Sequence, residues 1–173
     1  MALALLHMST IPDGVGGGAI RLSQDFDSTY YPKTLTVRQI MERSVCTVNP
    51  ATKGLTIAEM MTERNIGAVP VVKQDSKFVG LVSEFDLLRV IEGGRDLRQV
   101  TAEEMMTRDV VTVTGEMLVK DLIKLFQKQH LIRTPVVRGK TLILIGMVSR
   151  RDAVFGYVKV TDKSLRPTTD GGR

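Results

Sequence analysis

The chain has 173 residues, 43% hydrophobic and 25% charged, with a formal net charge of +5, the make-up of one compact domain or two small ones around a shared core. A single cysteine, Cys46, excludes an internal disulfide and fits a reducing compartment, and no run approaches the roughly 18 apolar residues that cross a bilayer. Nine Lys and Arg face ten Asp and Glu up to residue 92, and fifteen face nine beyond it, an excess that favours an anionic partner for the second half but is too small to name nucleic acid.

The opening MALALLH is apolar, but it lacks a basic start and is too short for a signal-peptide core. With no membrane run either, the expected location is the cytoplasm. GVGGG at 14–18 has no Lys-Ser/Thr after it and no strand pattern before it, so it reads as a flexible linker rather than a phosphate loop. Thr36 opens a capping box, TVRQ, that starts a short helix. The β-branched run VCTV (45–48) predicts a strand, and Ile57, Met60 and Met61 mark the apolar face of a helix. A proline-led strand (VPVV, 69–72), a turn (KQDSK) and a second strand (FVGLVS) follow. A last helix begins at Ser83 and stops at Gly93-Gly94.

The same grammar then repeats. Shifted by 65, IMERSVCTV (40–48) falls on MMTRDVVTV (105–113), and VPVV falls on TPVV (134–137). One extra residue in the next loop brings GLVSEFD (80–86) onto GMVSRRD (146–152). TAEE at Thr101 is the second capping box, and Val119, Leu122, Ile123 and Phe126 form the second amphipathic face. Two units of about 60 residues thus run from Thr36 to about Val160, each too small to bury its own apolar faces. Packed face to face with pseudo-twofold symmetry they form paired clefts, where a strand end meets a helix start. The twice-occurring Ser-x-x-Asp has two compatible readings: a capping box, and a ligand site at a helix N-terminus.

This ordered set, an apolar-Pro-Val-Val strand before Gly-x-x-Ser-x-x-Asp, twice at constant spacing, resembles the CBS domain pair, or Bateman module, across residues 36–160. The resemblance implies an α/β fold of tandem CBS motifs (β-α-β-β-α units), with motif 1 at 36–95 and motif 2 at 96–160. Residues 1–35 are then an extension or linker, and 161–173 a disordered tail. It also implies a regulatory module, not an enzyme, that needs no cofactor. Such a module binds an adenosine-containing ligand (AMP, ADP, ATP, S-adenosylmethionine or NAD) between the repeats and signals to a protein partner.

On that template Asp86 and Asp152 would read the ribose hydroxyls. Ser83 and Ser149 would stand by a phosphate at helix starts. Arg133, whose counterpart is Ala68, resembles a phosphate-holding arginine, and Arg151, whose counterpart is Phe85, faces the same group. Thr47 and Thr112, with Ile66, Ala68 and Val69 in one repeat and Leu131 and Thr134 in the other, would wall the adenine. Pro70 and Pro135 cannot donate in a ladder, which frees nearby backbone for a ligand. The expectation is one preferred, arginine-bearing cleft rather than two equal ones.

His7 and His130 stand far apart with no partner spacing that suits a metal, so no metal site is expected. Cys46 reads as a strand residue and not a nucleophile, and no constellation suggests catalysis. Apolar exposed faces on the terminal helices point to a homodimer. The alternatives are a ligand-free dimerisation scaffold and, less favoured, a nucleic-acid binder.

Overall fold

The computed structural model describes residues 34–161. The 14–18 linker, His7 and the tail beyond 161 lie outside the described residues. The first repeat runs α1 (Val37–Ile40), α2 (Gly54–Arg64), β1 (Ala68–Val72), β2 (Phe78–Ser83) and α3 (Glu84–Glu92). The second runs α4 (Ala102–Met105), β3 (Val113–Thr114), α5 (Val119–Lys128), β4 (Arg133–Arg138), β5 (Ile143–Ser149) and α6 (Arg150–Thr161). β1 and β2 pair antiparallel, as do β4 and β5, and β3 lies parallel to β4.

The first strand of each repeat is shorter than the β-branched run that predicts it. In the first repeat it shrinks to one parallel bridge, Val48 to Val71, in which the Val48 N–H reaches Pro70 O at 3.1 Å and the Val72 N–H reaches Val48 O at 2.9 Å. The next rung upstream would need an N–H on Pro70 to meet Cys46 O, and proline has none. Pro135 ends β3 in the same way, beyond the Val113–Val136 pair. The prolines therefore release two backbone carbonyls, Cys46 O and Val111 O, at equivalent places.

Repeat halves interlock. Val37 of α1 and Met41 just behind it are buried with Leu122, Phe126, Val136 and Val148 of the second repeat. Ala102 and Met105 of α4 and Met106 just behind it are buried with Ile57, Val71 and Val82 of the first. The contacts are reciprocal: the Val37 N–H donates to Met117 O at 2.9 Å, and the Ala102 N–H to Thr52 O at 2.8 Å. Behind each short helix the chain adds to the other repeat's inner strand, as Glu42 pairs with Met147 and Thr107 with Leu81. The bridge between Lys77 and Ile143 joins two equivalent positions and so lies on the pseudo-twofold axis.

This interlock explains the glycine of the repeated heptad. A β-carbon on Gly80 would stand 2.9 Å from Thr107 O, and one on Gly146 2.7 Å from Glu42 O. Only hydrogen lets the crossing segment lie that close. The apolar helix faces are buried as their spacing requires, with Ile57, Met61, Val119, Leu122 and Phe126 in three buried clusters. Ile123 and Met60 are half-buried beside them.

Candidate functional site

At the seam between the repeats lies a cavity of about 230 Å³. The arm behind α1 supplies Glu42, Ser44, Val45 and Cys46 to it. The start of β1 adds Ile66 and Ala68, while Arg133, Met147, Ser149 and Asp152 come from the second repeat. Five residues expected from sequence thus meet there: Ile66, Ala68, Arg133, Ser149 and Asp152. Sequence reasoning missed Glu42, Ser44 and Met147 and gave Cys46 only a strand role. The residues that follow the capping-box helix cross to the other repeat where the heptad carries its glycine, a long-range relation that no local pattern states.

The other expected residues lie elsewhere. Val69 is fully buried in the first core. Thr134 is fully buried, and its hydroxyl donates to Val111 O. Thr47 is exposed, beside a separate surface hollow formed with Asn49, Pro50 and Lys73. Thr112 and Leu131 are half-buried, and the Leu131 carbonyl accepts from Arg150 Nε at 2.5 Å. Arg151 is exposed, and Phe85 is 69% exposed. None of these residues lines the cavity.

Both heptads form true capping boxes. Asp152 Oδ2 accepts the Ser149 N–H and hydroxyl, both at 2.7 Å, while the Asp152 N–H reaches Ser149 Oγ at 3.3 Å. Asp86 Oδ2 does the same for Ser83, at 2.8 and 2.6 Å. A carboxylate has about four acceptor positions, so the cap uses one oxygen and leaves the other. The two boxes then differ. Thr107 Oγ1 approaches Asp86 Oδ1 at 3.5 Å and Asp86 is only 5% exposed, whereas Asp152 is half-buried and lines the cavity.

A second difference lies in the carbonyls released by the prolines. Val111 O, the counterpart of Cys46 O, is taken by Thr134, and the hollow of about 420 Å³ that Asp86 lines with Arg89, Arg95, Glu104 and Thr107 includes neither residue. The residue equivalent to Thr134 is Val69, which carries no hydroxyl, and among the described residues no donor reaches Cys46 O. Among the described residues the cleft of Asp152 therefore keeps an unengaged carboxylate oxygen and an unengaged backbone acceptor, whereas Val111 O is hydrogen-bonded and Asp86 Oδ1 has a hydroxyl 3.5 Å away.

Arg133 supplies the cation. It shares its position with Glu84 of α3: a β-carbon on Gly67 would meet Glu84 Oε2 at 2.7 Å and Arg133 Nη2 at 3.1 Å. Among the described residues no cluster of His, Cys, Asp and Glu is arranged to hold a metal, and no helix is long and apolar enough to cross a membrane.

The family profile for the CBS domain matches twice, at residues 37–93 and 102–158. The chain belongs to the CBS domain family. An uncharacterised protein of Methanopyrus kandleri is 32% identical over 123 residues, 69% of this chain and 61% of that one. The CBS domain-containing protein YhcV of Bacillus subtilis is 30% identical over 118 residues, 68% of this chain and 81% of that one. Inosine-5'-monophosphate dehydrogenase of Thermoplasma acidophilum matches at 30% identity over 66% of this chain but only 22% of its own length. This CBS pair thus spans between about a fifth and three fifths of several curated relatives.

Among solved structures, CBSX2 in complex with AMP has a TM-score of 0.66 at 23% identity, covering 74% of this chain and 99% of that one. The CBS pair of MJ0100, in complex with 5'-methylthioadenosine and S-adenosyl-L-methionine, has a TM-score of 0.62 at 23% identity, covering 69% and 97%. At these identities the likeness shows the fold: a mixed α/β tandem CBS pair.

Proposed function

We propose that this CBS pair is a regulatory sensor of an adenosine-containing ligand, with the cleft of Asp152 as its binding site. The observation that supports this most is the convergence there of Asp152, Cys46 O and Arg133 in one cavity with apolar walls. Asp152 would accept the ribose hydroxyls while holding the Ser149 cap. The slot of Val45, Ile66 and Ala68 would take the base, with Cys46 O accepting from an exocyclic amine. The 5' substituent would leave the ribose between Arg133 and Glu42. AMP in CBSX2 and adenosyl compounds in MJ0100 show that this fold accepts such ligands.

Binding would act by population shift. A ligand here touches the arm behind α1, the start of β1 and the start of α6, and so joins both repeats across the seam. A partner protein reads the resulting angle. The module itself is regulatory rather than catalytic, in the cytoplasm, and pairs with a second copy through exposed apolar residues of α3 and α6. Phe85, Leu88, Ile91, Val154 and Phe155, each at least 55% exposed, form those surfaces.

Thermal melting of the full chain with AMP, ADP, ATP, S-adenosylmethionine and NAD tests the proposal. A saturable rise in Tm with one of them is expected, since a ligand of the native state stabilises it. A flat response to all at millimolar concentration would favour a ligand-free scaffold instead.

A further inference from the structure

We infer that the cleft of Asp152 selects adenosine ligands that are neutral or cationic beyond the ribose over polyphosphates, and that Glu42 sets this preference. The inference rests on the sensor function proposed above and narrows the ligand class. Three charged side chains line the cavity, Glu42, Arg133 and Asp152, for a formal charge of −1 at neutral pH. A nucleoside triphosphate would bring several negative charges against one arginine. That arginine already shares its position at Gly67 with the carboxylate of Glu84.

Glu42 is held in place, not merely near. Its Oε1 accepts the Ser44 N–H at 2.6 Å, and its backbone exchanges two hydrogen bonds with Met147, both at 2.9 Å. The close approach to Gly146 locks the same residue from below. A carboxylate fixed at the rim by its own backbone acts as a preorganised negative charge. The fold does not require it, because the equivalent residue in the other cleft is the neutral Thr107. Its field adds to that of Asp152 at the place where a 5' substituent leaves the ribose.

Size acts in the same direction. At about 230 Å³ the cavity lies below the usual range for sites that enclose drug-sized ligands, about 300–1,000 Å³. It suits a nucleoside with a short substituent, and a longer chain must pass Glu42 on its way to solvent. A sulfonium there is attracted and a phosphate chain is repelled. Because Glu42 is exposed at the rim, water screens the effect, and one charge is worth on the order of tenfold in affinity.

Calorimetric titration of the full chain with 5'-methylthioadenosine, S-adenosylmethionine, AMP and ATP tests the inference, on the native protein and on Glu42→Gln. Glutamine keeps an oxygen for the Ser44 N–H and removes only the charge. In the native protein the two sulfur compounds should bind more tightly than ATP. In Glu42→Gln, S-adenosylmethionine should weaken and ATP tighten, each by several-fold, with methylthioadenosine unchanged. ATP binding as tightly as methylthioadenosine in the native protein, or ratios unmoved by the substitution, would overturn the selectivity and leave the sensor function standing. Failure of all four to bind would remove both.

Discussion

Cys46 and Val111 occupy one position in the two repeats, as do Val69 and Thr134, and Glu42 and Thr107. The backbone around the three pairs is the same, down to reciprocal hydrogen bonds at the interlock. What differs is whether polar groups released by the fold are answered from within. In one repeat Thr134 takes the Val111 carbonyl, and Thr107 Oγ1 stands 3.5 Å from the second carboxylate oxygen of Asp86. In the cleft of Asp152, neither counterpart is taken among the described residues. A duplicated unit therefore makes two potential sites, and single hydroxyls bias which one a ligand finds, because an acceptor already answered gains less from a ligand and a buried unanswered one is costly.

The sharpest way to break this comparison is to remove the two aspartates in turn. Asp152→Ala should abolish the ligand-induced rise in Tm, with affinity falling by about 30-fold or more, as expected for lost hydrogen bonds to a charged group. Asp86→Ala should lower Tm in the absence of ligand, since it too uncaps a helix, at about 1 kcal/mol. It should leave the rise intact. Equal loss of binding in both variants would mean the clefts are alike in use.

Next come the glycines. Gly146→Ala places a methyl 2.7 Å from the Glu42 carbonyl, a backbone atom that cannot swing away. It should cost about 1–3 kcal/mol in urea unfolding, as overpacking does, and weaken the ligand because Glu42 moves. Gly80→Ala meets the flexible Met106 Sδ first, at 2.5 Å, before Thr107 O at 2.9 Å. It should cost less and leave binding unchanged.

Val69→Thr then tests the acceptor directly. It grafts the Thr134 hydroxyl onto the first repeat, where it can donate to Cys46 O. Affinity should fall about tenfold, the value of one hydrogen bond, with the fold kept because the two side chains are nearly the same shape. Unchanged affinity would show that Cys46 O does not contact the base.

Much of this was legible in the sequence. The repeat offset predicted the pairing of elements, and the heptad predicted both capping boxes, which form with the named serines and aspartates. Ile66, Ala68, Arg133, Ser149 and Asp152 meet because each is a strand or helix end next to the seam. Glu42 and Ser44 were not legible, since nothing local says that the arm behind α1 crosses to the other repeat. That fact is written in Gly146, more than 100 residues away. Thr47 and Thr112 missed the cavity because the prolines cut the first strands short, so residues placed as strand walls became loop.

The smallest effect belongs to the caps on the short helices, where the repeats again differ by one residue. Gln39 Oε1 accepts the Thr36 N–H at 2.8 Å, and Glu104 Oε2 accepts the Thr101 N–H at the same distance. Only the second cap can titrate. The Thr101 N–H, then its hydroxyl, then the Arg95 guanidinium hold the Glu104 carboxyl well below its ordinary 4.5, at about 2. A depressed acid contributes stability that is complete above its unfolded pKa and is lost as pH falls through the folded one. Glu104→Gln should therefore lower Tm near neutrality, and the gap to the native protein should shrink from about pH 4.5 and vanish toward pH 2. Gln39→Glu should bring the same pH dependence to the first repeat, less the share owed to Arg95. If the gap for Glu104→Gln stayed constant down to pH 2, the cap would be acting through shape alone and the two repeats would be equivalent there after all.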